Sequence, residues 1–65
     1  MMTFTLEKVV EKFDLDAMAV REVMELFCWA SGKDVIAVSR FSEILIDWGV
    51  ISKPLTMTGQ VSLIS

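Results

Sequence analysis

The chain has 65 residues, which fits one small domain covering residues 1–65. It contains one cysteine and no histidine, so an internal disulfide is excluded and a zinc or iron–sulfur site lacks a ligand set. Its formal net charge of −3 disfavours binding to nucleic-acid phosphates, and no apolar run reaches the about 20 residues of a membrane-spanning helix.

The composition is nevertheless unusually apolar. Hydrophobic residues make up 54% of the sequence without glycine. The usual figure for globular proteins is about 45–50%, and that figure includes glycine. A domain of this size buries only about 60% of its unfolded surface, so part of the surplus is expected at an interface. A lone thiol and an N-terminus without the features of a secretory signal favour a cytoplasmic location.

The first predicted element is a helix over residues 4–13. Leu6, Val9 and Phe13 recur at helical spacing, and Thr5 is suited to cap the first turn. The opposite side carries glutamates and lysines of mixed sign, which is typical of a solvated helix face.

The second predicted helix, over residues 16–31, is apolar on two opposite sides. Asp14 or Asp16 can cap its start, and Gly32 is suited to its end. A helix of this kind is either central in its domain or covered by a partner. One face carries Val20, Val23, Met24, Phe27 and Ser31, and the other carries Met18, Leu26 and Trp29, interrupted by Glu22 and Glu25.

A short β-branched run over residues 35–38 predicts a strand or an extended connector. The third helix is expected over residues 39–48, with Ser39 as its N-cap and Gly49 ending it in a Schellman motif with Val50. Ile46 points away from the expected core face. That face consists of Phe41, Ile44, Leu45 and Trp48.

Residues 54–64 predict a β-hairpin. Leu55 and Met57 alternate with polar residues before a turn at Gly59, and Val61 and Leu63 alternate after it. The segment is uncharged, so an open edge would be prone to pair with another strand. Either the run at residues 35–38 pairs with it in a small three-stranded sheet, or another chain does. The expected fold is therefore α+β, with three helices followed by a C-terminal hairpin.

No catalytic constellation is visible in the sequence. Cys28 lies between Phe27 and Trp29, a setting typical of a buried and unreactive thiol. Asp14 and Asp16 are not followed by the oxygen ligands that a calcium loop requires. We expect no enzymatic activity, no cofactor and no metal.

The helix ending in Asp47-Trp48-Gly49-Val50-Ile51, followed by a hairpin closing in Val61-Ser62-Leu63-Ile64, resembles the recognition helix and wing of winged-helix domains. The resemblance implies a DNA-binding transcriptional regulator, with Lys33, Arg40 and Lys53 as its basic patch. Two features depart from that family. Seven residues separate the second and third helices, and the exposed side of the third, expected to carry Arg40 and Ser42, also holds Glu43 and Asp47.

A protein–protein interaction module is the function that the apolar surplus favours. Such a module would be non-catalytic, regulatory or inhibitory, and would form a homodimer or dock on a larger protein. Tryptophan and methionine are enriched in interface centres. The candidate contact residues are Met18, Leu26, Trp29, Ile46 and Met57.

Overall fold

The structure, a computed structural model, describes residues 2–64. It contains three helices and a three-stranded mixed sheet, so the expected α+β class is confirmed. None of the helices in this range is long and apolar enough to cross a membrane. The elements are, in chain order, β1 (Thr3–Thr5), α1 (Leu6–Phe13), α2 (Ala17–Ser31), β2 (Val35–Ala37), α3 (Val38–Asp47) and β3 (Gln60–Ser62).

The last strand, β3, lies at the centre of the sheet, in the order β1-β3-β2. It runs parallel to β1 and antiparallel to β2, so that Val61 pairs with Phe4 on one side and with Ile36 on the other. The strand predicted near residues 35–38 therefore exists as β2, whereas a strand at residues 3–5 was not predicted.

The hairpin predicted for residues 54–64 is not formed within the described part of the chain. Residues 54–59 carry no strand, and β3 pairs with β1 and β2 instead. An isolated two-stranded hairpin is marginal in water, whereas a central strand satisfies its backbone on both sides. Segment 54–59 is tied to α3 by another contact, because the Leu55 amide donates a 3.0 Å hydrogen bond to the Ser42 hydroxyl.

The first two helices begin at the caps that the sequence indicates. The Thr5 hydroxyl accepts a 3.2 Å hydrogen bond from the Lys8 amide, and the Asp16 carboxylate accepts one of 3.1 Å from the Met18 amide. Asp14 has a different role, because it adopts the left-handed conformation, with φ 51°, where α1 ends. The helix starts at residue 6 rather than residue 4, since β1 occupies the preceding residues.

The predicted N-cap of α3 is wrong by two residues. The helix begins at Val38, and its N-cap is Ala37, which makes no side-chain capping bond. The reason is that β2 runs directly into α3, and the Val38 amide donates to the Gly59 carbonyl at 3.0 Å. Ser39 therefore lies inside the helix.

The C-terminus of α3 forms the predicted Schellman motif. The Gly49 amide donates to the Ile46 carbonyl at 3.0 Å, and the Val50 amide donates to the Leu45 carbonyl at 2.9 Å. Gly49 has a φ of 76°, a left-handed conformation that glycine adopts without steric cost.

The core lies between α2, α3 and the sheet. Its α2 contribution, Val20, Val23 and Met24, matches the predicted face, while Phe27 is only half-buried. Ser42 was expected on the exposed side of α3 but is buried, because the buried face of that helix extends to it. The buried core consists of Leu6, Val9, Val20, Val23, Met24, Ile36, Val38, Phe41, Leu45 and Val61.

Substitution of Gly59 tests the pairing of β3 with the N-terminal segment. Its φ is 122°, and a Cβ there would collide with the carbonyl oxygen of Met2, which accepts a 2.9 Å bond from the Gln60 amide. We expect Gly59→Ala to lower the free energy of unfolding by more than about 2 kcal/mol in urea titrations. Gly49→Ala, where a Cβ meets open space, is the control and is expected to cost about 1 kcal/mol. Equal losses of unfolding free energy in the two variants would contradict the register of β3 against the N-terminal segment.

Candidate functional site

The second apolar face of α2 is exposed, so the helix is not enclosed by its own domain on that side. Trp29 is 84% exposed, Met18 is 81% exposed and Leu26 is 49% exposed. The helix packs on α1 and α3 through its opposite side. These three side chains therefore contribute nothing to the core and present apolar surface to solvent.

Trp48 joins this surface, although it was predicted to belong to the core face of α3. It is 51% exposed. The buried face of α3 is centred on Val38 and Leu45 and extends to Ser42, so Trp48 falls at the edge of that face, at the C-cap. A clue in the sequence was its place immediately before the helix-ending Gly49.

Leu26, Trp29 and Trp48 line one groove between α2 and the end of α3, together with Glu22 and Glu25. The groove has a volume of about 540 Å³. Both tryptophans of the chain lie in it. An apolar surface of this kind on a small domain commonly marks an interaction site. We call these five residues the tryptophan groove.

The carboxylates of the tryptophan groove are not neutralised by the chain itself. Within residues 2–64 the one ion pair joins Arg40 to Glu43, at 3.1 Å. Arg21 lies one helical turn before Glu25 but makes no ion pair with it. The groove therefore combines two indole rings with two unpaired acidic groups, Glu22 and Glu25.

The other predicted contact residues lie apart from the groove. Ile46 is 40% exposed on α3 and does not line it. Met57 is half-buried and packs against the core, so it offers less apolar surface to a partner than the sequence predicts. Segment 54–59 lies against the domain through the Ser42 hydroxyl, which explains this burial. Of the five predicted residues, the groove unites Leu26 and Trp29.

The three basic residues considered for DNA binding lie on separate segments. Lys33 follows α2, Arg40 is in the first turn of α3, and Lys53 follows α3. All three are exposed. The Arg40 guanidinium is engaged by Glu43, which reduces the positive charge that α3 offers to a phosphate.

The thiol of Cys28 is half-buried and packs against the core. Burial raises its pKa above the ordinary value, and the negative charges of Asp34 and Glu25 raise it further. The thiol is therefore protonated near neutral pH, and the nucleophilic thiolate is scarce. In residues 2–64 no three side chains from histidine, cysteine, aspartate and glutamate come together as a possible metal site.

Comparisons of the chain with protein-family models, with curated proteins and with solved structures find no match.

Trp29 and Phe41 offer a direct test of which aromatic side chains hold the domain together. Trp29→Gln removes an exposed side chain, so we expect the free energy of unfolding to change by no more than about 0.5 kcal/mol. Phe41 is fully buried, and Phe41→Ala is expected to cost about 3–5 kcal/mol. Chemical denaturation of the two variants measures both values. A loss for Trp29→Gln near that of Phe41→Ala would place Trp29 in the core.

Proposed function

We propose that this chain is a non-catalytic protein-interaction module that binds its partner through the tryptophan groove. The observation that carries the proposal is the exposure of both tryptophans in one groove, at 84% and 51%. Tryptophan is the residue most often found among the energetically dominant contacts of protein interfaces. Exposed indole rings do not stabilise an isolated domain, whereas their burial by a partner contributes to the free energy of binding.

Cys28 is not a ready nucleophile, because burial and the negative charges of Asp34 and Glu25 raise the pKa of its thiol. A module of this size acts by occupying a surface, so we propose a regulatory or inhibitory role, either as a homodimer or on another protein.

The winged-helix DNA-binding hypothesis is the weaker alternative. The hairpin that would form a wing is replaced by pairing of β3 with β1 and β2. Arg40 is paired with Glu43, and Lys33 and Lys53 lie on other segments. Duplex-DNA binding that falls steeply with added salt would favour this alternative over a protein partner.

Photo-crosslinking in cells that produce the chain tests the interaction. Ala30 is exposed, adjoins Trp29 in sequence and does not line the groove. A benzophenone amino acid at Ala30 therefore leaves the groove intact. We expect a discrete covalent adduct from this position that disappears when Trp29→Glu is added. The matched control carries the same probe at Lys8, an exposed residue of α1.

The mass of the adduct identifies the partner. Twice the mass of the chain indicates a homodimer, and any other discrete mass indicates a different protein. Adducts that persist with Trp29→Glu, or that form equally from Lys8, would contradict the proposal. The absence of any adduct from Ala30 would contradict it as well.

A further inference from the structure

The chemical character of the tryptophan groove limits which kinds of partner can bind in it. Its apolar part comes from Leu26, Trp29 and Trp48, and its polar part is wholly acidic, from Glu22 and Glu25. No lysine or arginine lines it. Surfaces that associate are complementary in charge, so we expect the molecule that binds in the groove to carry positive charge.

The indole rings strengthen this preference for positive charge. The face of an aromatic ring carries partial negative charge, and tryptophan attracts cations more strongly than the other aromatic side chains. A guanidinium or ammonium group beside Trp29 or Trp48 would also lie near the carboxylates of Glu22 and Glu25. Neither carboxylate is engaged in an ion pair within residues 2–64, so both are available to such a cation.

A second copy of this chain fits the groove poorly. Glu22 and Glu25 lie on either side of Met24, the midpoint of α2 (Ala17–Ser31). A two-fold axis relating two antiparallel α2 helices would bring the four carboxylates together, and like charges that meet at an interface oppose association.

We propose that the groove receives a basic amphipathic helix of another protein. Apolar side chains of that helix pack on Leu26 and the indole rings, and a flanking arginine or lysine stacks on an indole and pairs with Glu22 or Glu25. A short helix in a groove needs less contact area than a dimer of folded domains, because its few anchors at helical spacing carry the binding. This inference rests on the proposed function and specifies its partner.

Titration with synthetic peptides tests the inference. The probe is a helical peptide of about 15 residues, with leucines at i, i+3, i+4 and i+7 flanked by arginines. A second peptide has glutamate at every arginine position, and a third has serine at every leucine position. The intrinsic fluorescence of the chain reports binding directly, because both of its tryptophans lie in the groove. We expect saturable binding of the first peptide alone.

Matched variants separate local charge from net charge. Glu22→Gln with Glu25→Gln is expected to weaken binding of the basic peptide by about five-fold at low salt. Glu7→Gln with Glu11→Gln changes the net charge equally on α1, away from the groove, and is expected to leave the affinity unchanged. Trp29→Gln is expected to abolish the saturable signal of labelled-peptide anisotropy.

Each other outcome overturns the inference. Equal effects of the two glutamine pairs would remove the role of Glu22 and Glu25, and equal binding of the acidic peptide would remove the charge preference. No binding of the basic peptide would also overturn it. The proposed function is judged separately, since a Trp29-dependent adduct from Ala30 would then still show an interaction surface whose partner has different chemistry.

Discussion

The packing of α2 against α3 is the contact on which the rest of the structure depends. Six of the ten buried core residues come from these two helices, three from each. Val61 closes the core from the central strand β3. The valines of α2 and Met24 are buried in this contact, and the opposite side of the helix faces solvent. The exposure of the tryptophan groove follows from this geometry.

The same packing sets the positions of the two tryptophans. Trp29 is presented by the last turns of α2, and Trp48 stands at the C-cap of α3, where the Schellman motif at Gly49 turns the chain away. Both side chains project from helices that are anchored in the core. The backbone positions of the groove are therefore fixed before a partner arrives, and pre-formed surfaces lose less conformational entropy on binding.

The sequence indicated the features that depend on residues close together in the chain. The two-sided character of α2, the caps at Thr5 and Asp16 and the glycine end of α3 all depend on residues within a turn or two. The groove was only partly predictable. Leu26 and Trp29 follow from helical periodicity, whereas Trp48 was assigned to the core because a strict i, i+7 spacing ignores how far the buried face is rotated toward Ser42.

Pairing between distant segments was predicted only in part, since pairing of residues 35–38 with the C-terminal segment was one of two alternatives and the strand at residues 3–5 was not expected. The alternation from Leu55 to Leu63 matched a hairpin, yet β3 takes its partners from β1, almost the whole chain away, and from β2. A strand of three residues has too few alternating apolar and polar positions to indicate which distant strand it pairs with. Met57 was misplaced for the same reason, since its burial depends on segment 54–59 lying against the core.

Collisional quenching of tryptophan fluorescence tests the central claim most directly, because the signal comes from Trp29 and Trp48 alone. If both indoles lie outside the core, acrylamide should quench the native chain nearly as strongly as the urea-unfolded chain. Relative to its effect on free tryptophan, caesium should quench the chain more strongly than iodide does, because Glu22 and Glu25 concentrate cations and repel anions around the rings. Weak quenching of the native chain by acrylamide, with a large increase on unfolding, would show buried tryptophans and contradict the account.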